Sequence, residues 1–401
     1  MNVVGVVSEF NPMHYGHKWF LNKIREKYGD NTAIVCVMSG DFVQRGEPAC
    51  MDKFSRAKAA VLNGADLVIE LPIPWSISSA ERFAENAVRI LASINSVSTI
   101  AFGSECGDAD KIIKTAEAIL TDKVNKKIKD ELNGGINYAL ARQKAMEYYY
   151  PELAEIISTP NNLLGVEYAK AIIRNNYGMD VYTVKRHGVM HDSKSDSNVK
   201  SAKEIREILK TGGSIEKFVS DATLSVIKEC IENNTFIYDN DNLEIAIVSR
   251  LRMLSKDDYN DIPDSDGGVG NAVYKAVQDD SNIQGIAMKA KSKNVALARI
   301  NRMLMCAATE VKKEDIEETP KYLRVLASTE RGLEILRGKN ELPVLAKAAD
   351  VGKISCEAKK QFELGSKAHD LYVLGYNNIQ ERKCGQDYRN GPYIIKSNDR
   401  K

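Results

Sequence analysis

Short apolar runs alternate with amphipathic stretches through the first half of the chain. The runs are Val3–Val7, Thr32–Met38, Leu67–Leu71, Ser98–Phe102 and Asp180–Lys185. They are rich in Val and Ile and nearly continuous, the pattern of strands covered on both faces. Between them, the spacing predicts helices over Lys18–Tyr28, Lys53–Asn63, Ser79–Ile94, Ala109–Leu132 (with a break) and Leu163–Asn176. Asn63-Gly64 is a helix stop ahead of the third strand. This alternation predicts an α/β fold on a doubly wound parallel sheet, with ligands beyond the carboxyl ends of its strands.

After Leu209-Lys210-Thr211-Gly212-Gly213 the pattern changes. The spacing is helical from Ser214 to Ala307, with an Asp/Gly-rich loop at Asp261–Gly270. Further on, Tyr322–Leu326, Glu330–Arg337 and Pro343–Ala346 predict a small strand–helix–strand unit. The polar stretch Asn390–Lys401 is expected to fray. Two domains are therefore expected, residues 1–212 and a mainly α-helical domain over 213–401; a chain of 401 residues is long enough for both.

Composition narrows the picture. The chain is 43% apolar and 28% charged, as in ordinary globular proteins, and its net charge is +1. Contact with nucleic acid would have to come from a local basic patch. The seven cysteines are scattered and include no Cys-x-x-Cys pair, so reduced thiols are expected and no bound zinc or haem. No apolar run reaches the ~20 residues that span a bilayer, and no basic leader or cleavable apolar segment opens the chain. A cytoplasmic protein with no membrane contact is the expectation.

The chemistry is concentrated just after the first run, in Asn11-Pro12-Met13-His14-Tyr15-Gly16-His17. A strand leads in and a helix leads out. Helix N-termini offer free N–H groups and partial positive charge to phosphate oxygens. Two imidazoles at that end can donate to oxygens that gain charge when an α-phosphate is attacked. Gly16 removes a Cβ where a nucleotide would approach the backbone. A lone histidine would read as core packing; the pair, the glycine and the strand–turn–helix setting read as a site that splits ATP at its α-phosphate.

Other loops at strand ends add candidates. Gly103 is either a strand-ending turn or a backbone contact for adenine or ribose. Ser39–Pro48 carries Asp41, Gln44 and Arg45 beside Phe42-Val43 and reads as a substrate-facing loop, with Arg45 able to hold an anion in a fork. Thr159–Gly165 opens a helix; one asparagine serves as an N-cap, and the other is spare for ribose or base. Lys185-Arg186-His187-Gly188 ends the fifth run, and Ser201/Glu204 are spaced as a capping box ahead of Arg206. Arg186 and Arg206 are the candidates for the triphosphate. Lys289, Lys291, Lys293, Arg299 and Arg302 form a stripe without an acid, either a solvated helix face or a contact for an RNA backbone. Met253-Leu254-Ser255-Lys256 and Tyr148-Tyr149-Tyr150 read as helix residues.

Assembled, these segments resemble the bacterial tRNA(Met) cytidine acetate ligase family. The resemblance rests on Glu9-Phe10-Asn11-Pro12-x-His14-x-Gly16-His17, Met38–Pro48, Gly64–Pro72, Phe102–Glu105, Pro160–Gly165 and Ser201-Ala202-x-x-Ile205-Arg206, in family order over about the first 210 residues. It implies a Rossmann-like nucleotidyltransferase domain and a largely helical carboxy-terminal domain. It also implies a two-step reaction. Acetate and ATP give acetyl-adenylate and pyrophosphate, and the acetyl group then passes to N4 of the wobble cytidine of elongator tRNA(Met). The family's ATP site maps onto Val7 through Phe20 (Val7, Asn11, Pro12, His14, Gly16, His17, Phe20), Gly103, Asn161, Asn162 and Arg186. His14 and His17 are the expected catalytic pair. Mg²⁺ would arrive with the ATP and need few protein ligands. The base for the cytidine amine is not identified, with Asp41 a candidate. Two readings stay open beside this one: an adenylyltransferase of a small metabolite, and a non-catalytic tRNA-binding protein with a relic nucleotide site.

Overall fold

The structure is a computed structural model that describes residues 1–186, 200–238 and 241–395. All five early runs form strands: β1 (Val3–Ser8), β2 (Ala33–Ser39), β3 (Leu67–Leu71), β4 (Thr99–Ser104) and β5 (Asp180–Lys185). They pair in parallel in the order β3-β2-β1-β4-β5. Every residue of β2 and β3 is buried, as continuous apolar runs require. The order reverses at β1, between β2 and β4. That reversal makes the carboxyl ends of β1 and β4 the expected place for a ligand.

The break expected in Ala109–Leu132 is present, as helices Ala109–Leu120 and Asp122–Asn133. Helix Pro160–Asn175 begins three residues ahead of its predicted start.

Near the end of the chain the expected strand–helix–strand unit forms: β6 (Leu323–Thr329), helix Glu330–Arg337 and the two-residue strand Val344–Leu345, which pairs in parallel with β6. The unit is joined to the main sheet, because β6 also lies antiparallel against β3. The stretch expected to fray contains β7 (Tyr393–Ile395), parallel to β6 at the sheet edge. The sheet therefore crosses the expected division at residue 212. A strand this short follows Gly391-Pro392 and has no periodicity of its own; its partner supplies the order. The rest of Asn390–Lys401 after Ile395, and His187-Gly188, lie outside the described residues.

Beyond residue 213 a helical layer packs on the carboxyl side of the sheet. Its core joins helices Asp241–Met253, Val269–Asp279, Ile283–Ala290 and Leu297–Ala308 with the end of helix Cys356–Tyr372. Phe42, Ile73 and Ile77 from the first half are buried in the same core. Phe42 belongs to a small hairpin, Phe42–Val43 paired with Glu47–Pro48. At its tip Gly46 has φ +74, and a Cβ there would lie 2.4 Å from Asn301 C and Arg302 N. The substrate-loop candidate is thus clamped between the sheet and helix Leu297–Ala308.

Candidate active site

Helix α1 (Tyr15–Tyr28) starts at the end of β1, and the two histidines build its N-terminus. His14 is the N-cap: its Nδ1 accepts the Gly16 N–H at 3.0 Å, and His17 Nδ1 accepts the His14 N–H at 3.3 Å. This is a capping box made of imidazoles. The rings stack at 3.9 Å between centroids, and Phe10 meets His17 edge-on at 5.1 Å. A Cβ on Gly16 would lie 2.8 Å from His14 Cε1, so the glycine is needed for the ring to seat.

Burial holds His14 down to about 4, with the Arg186 charge adding to it. Burial, then His14 and Arg186, hold His17 well below the ordinary imidazole value. Both rings are neutral at neutral pH. Each Nδ1 is an acceptor, so each ring proton sits on Nε2 and can be donated to a ligand.

Arg186 stands at the ends of β4 and β5. Its N–H donates to Ser104 C=O at 2.9 Å and its Nη1 to Asn161 Oδ1 at 3.3 Å. A Cβ at Gly103 would come within 3.1 Å of Arg186 Cγ, so the bare strand end gives this side chain room. The expectation that an asparagine caps helix Pro160–Asn175 is corrected. The N-cap residue is Thr159, which makes no capping bond with its own side chain. The first turn is plugged instead by Glu105, whose carboxylate accepts the N–H groups of Asn161 (3.2 Å) and Asn162 (2.7 Å), Asn161 Nδ2 (2.7 Å) and Thr159 Oγ1 (3.2 Å). Burial would raise Glu105, but those hydrogen bonds hold it below the ordinary carboxylate value. Both asparagines stay near the nucleotide candidates. Asn161 faces Arg186, and Asn162 Oδ1 accepts the Cys106 N–H at 3.0 Å.

Val7, half-buried, pairs with Val37 just past the buried part of β1, and Phe20 lies half-buried on α1. Asn11 Oδ1 accepts the Cys50 N–H at 2.9 Å, and the Asn11-Pro12 peptide is cis. Arg206, expected at the triphosphate, donates to Asn11 C=O at 2.6 Å and lies 3.8 Å from Glu47. It holds the turn that carries the histidines. A fully buried arginine missed in the sequence, Arg56, ties the neighbouring strand ends together. It donates to Glu9 C=O (2.7 Å), Ser39 C=O (3.1 Å), Met51 C=O (2.9 Å) and Gly40 C=O.

The hairpin candidates divide. Arg45 is exposed and has no hydrogen-bond partner among the described residues. Gln44 donates its N–H to Glu9 at 3.0 Å and its side chain to Ser78 C=O at 3.1 Å. Asp41 turns inward and is buried. One oxygen accepts the Lys53 N–H at 2.8 Å; the other lies 2.8 Å from His369 Nδ1. Burial opposes its charge, but His369 and Lys53 hold its carboxyl well below the ordinary range. It has no oxygen left for a substrate amine, which corrects its candidacy as the base. The basic stripe divides as well. Arg299 and Arg302 are spent on Asp264 and Asp266, and Lys289 on Asp279 and Asp280. Lys291 and Lys293 remain exposed without a partner among the described residues.

Comparison with known proteins bears on this site. A family model described as HIGH nucleotidyl transferase matches residues 1–387. A protein of Caldanaerobacter subterraneus named tRNA(Met) cytidine acetate ligase is 36% identical over 392 residues, covering 94% of this chain and 96% of its own. One of the same name from Clostridium botulinum strain Langeland is 34% identical over 414 residues, covering 99% of each. The chain belongs to the tRNA(Met) cytidine acetate ligase family. Membership of this ligase family makes it an enzyme of nucleotidyltransferase type, and the likeness extends through the helical second half. A crystal structure of Thermotoga maritima TmcAL bound with alpha-thio ATP superposes with a TM-score of 0.92 at 27% identity, over 99% of this chain and 100% of that one. Its apo form gives 0.93 at 28%.

Proposed function

We propose that this ligase activates acetate with ATP and passes the acetyl group to N4 of the wobble cytidine of elongator tRNA(Met), in the cytoplasm. The observation that carries the reading is the neutral, stacked His14/His17 pair at the α1 N-terminus, in a chain related over nearly its whole length to proteins of that name. An acetate oxygen attacks the α-phosphorus and pyrophosphate leaves. No protein nucleophile is needed, so catalysis is positioning and charge stabilisation. His14 and His17 donate from Nε2 to the phosphates while Arg186 supplies the cation. Val7, Asn11, Pro12, Gly16, Phe20, Gly103, Asn161 and Asn162 shape the nucleotide site. Arg206 and Gln44 hold its walls, and exposed Arg45, Lys291 and Lys293 meet the RNA. Mg²⁺ enters as part of the ATP substrate; no group of three metal-ligating side chains is present among the described residues. Incubation with labelled acetate, ATP and total tRNA, followed by nucleoside analysis, tests the reading. N4-acetylcytidine is expected; its absence refutes the transfer.

A further inference from the structure

Five carboxylates lie at the carboxyl ends of the central strands: Glu9 after β1, Asp41 and Glu47 around the hairpin, Glu70 in β3, and Glu105 after β4. Four are committed elsewhere. Asp41 has both oxygens engaged. Glu70 is buried against Lys53 at 3.0 Å. Glu105 plugs a helix end. Glu47 lies on the outer side of the hairpin, beside Arg206.

Glu9 differs from all of them. It is half-buried, and only one of its oxygens is taken, by the Gln44 N–H at 3.0 Å. The other accepts no hydrogen bond among the described residues. Its main chain is pinned by Arg56, and the next residue, Phe10, backs His17 with its ring edge. A fixed carboxylate, one oxygen of which has no hydrogen bond among the described residues, therefore stands where the strand turns into the phosphate-binding helix, under a hairpin whose tip carries the exposed Arg45.

We propose that Glu9 is the general base of the second half-reaction, taking the proton from the N4 amine of the acceptor cytidine as that nitrogen attacks the acetyl carbon of the adenylate. The inference rests on the function proposed above. The N–C bond forms, the bond from the acetyl carbon to the AMP phosphate oxygen breaks, and its electron pair leaves with AMP. The N–H proton passes to the Glu9 oxygen not held by Gln44 and then to solvent. The amine needs such a base because its lone pair is delocalised into the ring. Burial raises Glu9 above the ordinary carboxylate value, which strengthens it as a base. The Gln44 N–H, Arg56, Arg206 and Arg45 oppose that rise, and Tyr168 also feels the Glu9 charge.

Glu9→Gln keeps the shape and can still accept the Gln44 N–H. Two assays separate the half-reactions: acetate-dependent ATP–pyrophosphate exchange, and single-turnover transfer from enzyme-bound acetyl-adenylate to tRNA. The ratio of transfer to exchange is expected to fall by about 10²-fold or more in Glu9→Gln. Glu9→Asp, which keeps a carboxylate, is expected to restore about tenfold of it and to shift the pH midpoint of transfer. An unchanged ratio in Glu9→Gln overturns the proposal, as does exchange lost in step with transfer. If Glu9→Gln does not fold, Glu9→Asp with an unmoved pH midpoint overturns it. Wild-type enzyme without acetate-dependent exchange refutes the function itself. That result is distinct from normal exchange with an unimpaired Glu9→Gln, which removes Glu9 alone.

Discussion

The site works with neutral donors. Charged histidines at a helix N-terminus would oppose the helix dipole; buried neutral ones cap the helix and keep Nε2–H for the ligand. Truncating either ring removes a donor aimed at developing charge. His14→Ala or His17→Ala is expected to lose roughly 10²–10³-fold in acetate-dependent pyrophosphate exchange. Melting should show a loss of only ~1 kcal/mol, the worth of a cap. His369 is the opposite kind of histidine. Burial would lower it, but the Asp41 charge and hydrogen bond raise it from 6.5 to about 9. The stabilisation is complete below the unfolded value of 6.5 and is lost as pH rises through about 9. Denaturant titrations of wild type should show stability falling over that window, on the order of 3 kcal/mol, and His369→Gln should lack the slope. The histidine motif was legible because its residues are contiguous. Glu105, Arg56 and His369 were not, because each acts through a partner distant in sequence: Glu105 holds a helix end 56 residues on, and His369 meets Asp41 across 328.

At the scale of elements, the hairpin is a wall shared by sheet and helices. Phe42 is buried in the helical core while Gly46 abuts the backbone of helix Leu297–Ala308. Gly46→Ala introduces both a clash and a strained φ. It should cost about 1–3 kcal/mol in chemical denaturation. Since the wall also seats Gln44 over Glu9, transfer to tRNA should weaken more than pyrophosphate exchange. The early strands could be read from Val/Ile runs bounded by turn residues, and the helices between them from spacing. β6 could be read as a strand but not placed, since an apolar run covered on both faces does not encode which neighbour it pairs with. β7 could not be read at all, because three residues after a proline carry no period. The partners of Arg299 and Arg302 could not be read either: no acid interrupts their own stretch, and the groups that hold them, the Asp264 carboxylate and the Asp264 and Asp266 backbone carbonyls, lie in an earlier loop.

Across the whole molecule, one buried ion cluster joins the first and last segments. Lys53 Nζ lies 2.7 Å from Asp387 and 3.0 Å from Glu70. Arg324 Nη2 donates to Asp387 C=O at 2.8 Å. Breaking such a pair strands the remaining charges without water. Lys53→Met is therefore expected to lose roughly 3–5 kcal/mol of stability. Amide exchange should quicken first around β7 and the segment carrying Asp387, and an unchanged pattern there would count against the cluster as the link. The same pair has a meaning in time. Its partners are 334 residues apart. At about 5–20 residues per second, a nascent chain carries Lys53 for ~20–70 s before Asp387 is made. Throughout that interval the cluster cannot close, and β7 is not yet there to pair with β6. The histidine motif and the strands around it are therefore made well before the contact that ties them to the late segments.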